Sequence, residues 1–166
     1  MNVKEQIIST LRDTGREGIE KVISYMERNG FFSVGCHHHH RYKGGLADHA
    51  WQTYQLALKG EEEQNMRFPS VSALNKSSLA ISAILHDFCD CHGMHHIHNH
   101  GRRSVKMLKE LGFHLSGDEF FAIRFHMSLK NKKNHPLYEM AKHCHLRSIV
   151  HQADVQSAKK YRGFSV

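Results

Sequence analysis

Long apolar runs are missing from this chain. No stretch approaches the roughly 18 consecutive apolar residues of a membrane-spanning helix, and the start MNVKEQIIST has no apolar segment followed by a small-residue cleavage site. No membrane partner is therefore expected, and the expected location is the cytoplasm. Cysteine is scarce as well: Cys36, Cys89, Cys91 and Cys144 are too few and too irregularly placed for a disulfide framework, which a domain of this size does not need. Reduced thiols are the expectation. The aromatic residues are not interleaved with the basic ones, so the stacking pattern of single-strand binders is absent. Acidic residues are outnumbered, 16 against 23 Lys and Arg. The resulting charge of +7 favours anionic partners, either small phosphorylated molecules such as nucleotides or nucleic acids.

At 166 residues and 40% hydrophobic, the chain suffices for one sizeable core, so a single domain over residues 1–166 is expected. Its apolar positions repeat at helical spacing. Val3, Ile7, Ile8 and Leu11 share a face, which Ile19, Val22, Ile23 and Met26 continue before Gly30. A second helix begins after Gly44-Gly45 and places His49 with Leu46, Thr53 and Leu56, before a polar stretch between Lys59 and Pro69. The helix expected from about Ser77 is apolar around much of its circumference, which belongs at the centre of a core. A histidine-rich loop over residues 92–100 precedes a short helix that stops at Gly112, and Ser116 with Glu119 has capping-box spacing for another. Met140, Cys144, Val150, Ala153 and Ser157 suggest one long final helix. With no strand alternation and no repeat, the expected class is all-α.

The most informative stretch is Ile84-Leu85-His86-Asp87, where a carboxylate closes an apolar run and needs a cation or a strong hydrogen-bonded partner. His49 lies on the inner face of the second helix and Asp154 on that of the last. Singly, His49 reads as a satisfied core histidine and Asp154 as half of a buried ion pair. Together, three helices offer four ligands, His49, His86, Asp87 and Asp154, the way helical bundles build metal sites. Imidazole with carboxylate suits a divalent transition metal: Fe, Mn, Ni, Co or Zn.

This order, His49, then His86-Asp87, then Asp154, resembles the H…HD…D signature of the HD-domain metal-dependent phosphohydrolases. The stretch from His39-His40-Arg41-Tyr42-Lys43-Gly44-Gly45-Leu46 to His49 is similar to the entry segment of a bacterial subgroup that includes the HD-domain 3′–5′ exoribonucleases. The stretches His100-Gly101-Arg102-Arg103-Ser104-Val105 and Ala122-Ile123-Arg124-Phe125-His126-Met127 resemble further elements of that subgroup, and the match spans roughly residues 37 to 160. The resemblance implies an HD-domain bundle of about six to eight helices, with one metal on the four ligands. His100 and His126 would hold a second ion or the phosphate. Many relatives carry a lysine where this chain has Asp90, so a phosphate-contacting cation is replaced by an acid.

The implied chemistry is hydrolysis of a phosphoester by metal-activated water. Asp87 would hold or bridge the ions, and His126 or His100 would protonate the leaving group or bind a phosphoryl oxygen. Arg102, Arg103 and Arg124 are candidate phosphate clamps, because guanidinium donors match phosphate geometry. The other basic clusters, Lys130 with Lys132-Lys133 and Lys159-Lys160 with Arg162, read as solvated faces. His39 and His40 of the internal run His37–His40 are candidates for the pocket mouth or for a structural role. Cys89, Cys91, His92, His95, His96 and His98 form a weaker soft-metal alternative that lacks paired C-x-x-C knuckles. The leading expectation is a phosphohydrolase acting on a nucleotide or related small phosphoester. The alternatives are an exoribonuclease-like nuclease, a non-catalytic metal or nucleotide sensor, and a metal-storage protein.

Overall fold

The computed structural model describes residues 1–69, 73–92, 99–129 and 132–160. Lys130, Arg162, His95, His96 and His98 lie outside them. Among the described residues there are eight α-helices and no strand: α1 (Val3–Asp13), α2 (Ile19–Arg28), α3 (Gly45–Arg67), α4 (Lys76–Leu85), α5 (His100–Glu110), α6 (Gly117–Arg124), α7 (Tyr138–His143) and α8 (His145–Lys160). A 3-10 helix, Phe88–His92, follows α4. The all-α expectation holds. None of the described helices is long and apolar enough to cross a membrane.

The centre is α4. Every residue from Leu79 to Leu85 is buried, as expected of a helix that is apolar all round, and α1, α3, α6 and α8 pack about it. It serves two apolar clusters. Ile81, Ile84 and Leu85 join Ile7, Leu11, Ile23 and Phe31 on one side, while Leu79 and Ala83 meet Ala57, Ala122, Ile149 and Val150 on the other. The carbonyl end of α4 emerges between the clusters, at His86.

Helix starts follow local chemistry. The Ser116 hydroxyl accepts from the Glu119 N–H and the Glu119 carboxylate accepts from the Ser116 N–H, so the expected capping box opens α6. Glu119 also binds Arg16 and Ser78, tying α6 to the first helix pair and to α4.

Two expectations are corrected. The polar stretch after Lys59 remains helical to Arg67, as the solvated end of α3. The single final helix is two, because Cys144 adopts extended backbone (ψ 110°) between α7 and α8. Its sulfur accepts from the Arg147 N–H at 3.5 Å and so caps the start of α8, a role that apolar spacing does not reveal.

Candidate metal centre

The four ligand candidates come together at the carbonyl end of α4. His49 stands in the first turns of α3, His86 and Asp87 directly follow α4, and Asp154 lies on α8. His49 Nε2 is 3.1 Å from His86 Nε2 and 3.3 Å from Asp154 Oδ1, and His86 Nε2 is 3.3 Å from Asp87 Oδ2. Both imidazoles are fully buried.

Hydrogen bonds on the far side of each ring set its tautomer. His86 Nδ1 lies 2.8 Å from the Ala83 carbonyl and His126 Nδ1 2.8 Å from the Ile123 carbonyl. A carbonyl only accepts, so each Nδ1 carries the proton and each neutral ring presents a bare Nε2. His49 Nδ1 donates to Ser157 Oγ at 3.1 Å, and that hydroxyl in turn donates to Gln52 Oε1 at 3.5 Å. This is how proteins orient metal-binding imidazoles. The bare nitrogens and carboxylate oxygens then face one another, an arrangement that needs a positive charge among them. The C-terminal ends of α4 and α6 add their negative dipole ends to the same demand.

The titration behaviour agrees. Burial disfavours the His86 imidazolium, yet Asp87 first, then Asp154 and the Ala83 carbonyl, carry its pKa up to about 9. Burial likewise opposes the Asp87 carboxylate, but His86 and His126 outweigh it and hold the group well below its ordinary value. Asp154 is brought down to about 2, again against burial, chiefly by His49 and His86. In the absence of a metal, a proton supplies the missing charge.

A second lobe adjoins the first through Asp87. Asp87 Oδ1 is 3.3 Å from His126 Nε2 and 4.0 Å from His100 Nδ1, and His100 Nδ1 is 3.3 Å from Asp90 Oδ2. Two glycines permit these approaches. A Cβ at Gly101 would lie 2.2 Å from the Ile123 carbonyl oxygen, so only glycine lets the start of α5 meet the end of α6 and bring His100 toward His126. A Cβ at Gly45 would lie 1.8 Å from the His40 oxygen, so glycine also lets the histidine run fold against α3.

Above the ligands opens a cavity of about 270 Å³. Its floor includes Asp87, Asp90, His100 and Asp154, with His37, His38 and His39 on one wall. The His39 ring lies tilted against that of His49, centroids 4.5 Å apart, and burial first, then His49 and His40, depress its pKa to about 4. His40 is buried behind it and meets Gln52 Oε1 at 3.2 Å. The pair therefore divides the two roles considered for it. Met127, His151, Val155 and Lys159 also line the cavity.

The arginines are placed otherwise. Arg102 and Arg103 are exposed on α5, and Arg124 lies over the Phe125 ring at 4.9 Å; none of them lines the cavity. Lys159 is exposed, as expected of a solvated face, and is also the lysine among the described lining residues of the cavity. His151 went unnoticed in the sequence. The signal was present, since residues 151, 154, 155 and 158 share one face of a helix at i, i+3, i+4, i+7 spacing. Among the described members of the soft-metal alternative, Cys89 groups with Asp90 and His100, whereas the His92 ring is engaged by the Tyr25 hydroxyl at 2.7 Å.

In fit, the centre suits a divalent transition ion: two buried imidazoles with fixed tautomers, two carboxylates, and a buried Asp87 Oδ1 without a hydrogen bond among the described residues. No protein-family model, curated protein or solved structure matches the chain.

Proposed function

We propose that this protein is a divalent-metal-dependent phosphohydrolase acting on a small phosphoester, a nucleotide or a related molecule. The observation that carries the reading is the pair of bare Nε2 atoms of His49 and His86 at 3.1 Å, flanked by Asp87 and Asp154 at the floor of an open cavity. His49, His86, Asp87 and Asp154 would hold a divalent ion, which would supply Lewis acidity toward a phosphoryl oxygen and lower the pKa of a bound water toward neutrality.

The chain's own groups have definable tasks around it. Asp87 and Asp154 hold charge at the floor, and Ser157 fixes the His49 ring. His151 donates from Nδ1 to the His126 carbonyl. Burial, the largest influence, lowers its pKa, so Nε2 of the neutral ring is left to accept a proton or a hydrogen bond from a bound hydroxyl. Lys159 offers the wall a positive charge for an anionic group of the substrate.

The test is a panel of phosphomonoesters, nucleotides, cyclic nucleotides and labelled single-stranded RNA, offered to protein loaded with Mn, Fe(II), Co, Ni or Zn. Turnover of a small phosphoester, lost in His86→Ala and Asp87→Asn, is the expected result. No turnover with any metal overturns the reading, and shortening of the RNA alone redirects it to a nuclease.

A further inference from the structure

We propose that Asp90 makes the second lobe a cation position, with Asp90 Oδ2 as a ligand beside His100, His126 and the second oxygen of Asp87, so that this lobe takes a divalent ion and not a phosphoryl group. The proposal rests on the reading of the first lobe as a metal site and specifies what its neighbour holds.

Three observations carry it. First, Asp90 is a carboxylate with a side chain only 6% exposed, and among the described residues no lysine or arginine pairs with it. Its contacts are His100 Nδ1 at 3.3 Å and the Cys89 thiol, 3.4 Å from Oδ1. The thiol donates to Oδ1, so Oδ2 is the oxygen that faces His100 and the lobe. Cys89 is thus a positioning residue. Second, Asp87 Oδ1 is buried and makes no hydrogen bond among the described residues, although it lies between His126 Nε2 and His100 Nδ1. A buried carboxylate oxygen left unpaired is costly, and a cation shared with Asp90 removes the cost. Third, the His126 tautomer is fixed by the Ile123 carbonyl, so its Nε2 is a ligand and not a donor in the neutral ring. A phosphoryl oxygen needs donors here. It would meet instead a bare nitrogen and two carboxylates.

Charge points the same way. The floor carries Asp87, Asp90 and Asp154, and three carboxylates against a single dication leave it negative, which repels an anionic substrate. Against two dications the floor is positive. Mixed imidazole and carboxylate donors suit Mn(II) or Fe(II), and Mn(II) is the convenient probe because two neighbouring ions couple magnetically.

The experiment is titration of chelator-stripped protein with Mn(II), read by elemental stoichiometry and electron paramagnetic resonance, with no dependence on turnover. The native chain is expected to bind two ions per chain with a spin-coupled spectrum. Asp90→Asn is expected to bind one, with the six-line spectrum of an isolated ion and an unchanged circular dichroism spectrum. Asp90→Ala serves as a second variant with the same expected stoichiometry should the Asn variant fail to fold, and Asp90→Glu should restore two. One ion in the native chain, or two in both neutral variants, overturns the proposal while leaving the first lobe standing. No ion in the native chain overturns both.

Discussion

His49 Nε2 and His86 Nε2 face each other at 3.1 Å, each ring anchored through its other nitrogen. Two lone pairs at that distance repel unless a proton or a metal ion stands between them and the carboxylates. A metal ion bound there would exchange with that proton, and the expected pH behaviour follows from that exchange.

Metal-free protein should lose stability as the pH rises. The folded pKa of His86, about 9, lies above the unfolded value near 6.5. Its contribution is complete below pH 6.5 and disappears as the pH passes through about 9. Thermal melts of chelator-treated protein at pH 6, 7.5 and 9 should fall in that order, whereas metal-loaded protein should change less. Binding of Mn(II) at pH 7.5 should release a proton, detectable by calorimetry in two buffers of different ionisation enthalpy. A melting temperature that rises across this range in the stripped protein would contradict the assignment.

Ser157→Ala should weaken the first ion without unfolding the chain. Removing the partner that orients a ligating imidazole typically costs about 10–100-fold in metal affinity. Equilibrium dialysis against Mn(II) measures the loss, and an affinity within twofold of the native value would show that the Ser157 contact does not position His49.

Gly101→Ala should act at a distance from any ligand. The new Cβ would collide with the Ile123 carbonyl oxygen and push α5 away from α6. Overpacking of this kind costs about 1–3 kcal/mol, and a chain of this size loses roughly 2–4 °C in Tm per kcal/mol. His100 moves with α5, so Mn(II) stoichiometry should fall together with Tm. Native Tm and stoichiometry would contradict the packing account.

Lys159→Ala should raise KM about 2–5-fold for an anionic substrate with little change in kcat, the modest size reflecting an exposed charge screened by solvent. Lys159→Arg should recover most of it. Arg102→Ala and Arg103→Ala should leave both constants within about twofold, because neither side chain reaches the cavity. Steady-state kinetics on the best substrate of the panel separate the two outcomes.

Much of the architecture could be read from the sequence, for identifiable reasons. The apolar circumference of residues 79–85 could only be a central helix, and the spacing of Ser116 and Glu119 could only be a local cap. His49, His86, Asp87 and Asp154 were recoverable because each sits on the inner side of an apolar periodic segment, which is also what brings them together. Cys144 was misread because it is apolar at a helical spacing, while the capping contact of its sulfur leaves no periodic trace. The arginines were misplaced for a related reason: adjacency to His100 or His126 in sequence says nothing about reaching the cavity, and Arg102 and Arg103 point to solvent from α5 while Arg124 lies over the Phe125 ring. The place of Asp90 in the second lobe required the approach of α5 to α6, a contact between segments that no local pattern announces.

His49 and Ser157 are 108 residues apart in the chain, and Asp154 is nearly as far from His49. An ion shared by α3 and α8 would therefore be a removable cross-link across a very long loop. Such a link forms only after the two helices have met, once the entropy of closing the loop has already been lost. It should then leave the refolding rate almost unchanged and act on the reverse process, making the loaded protein slow to come apart.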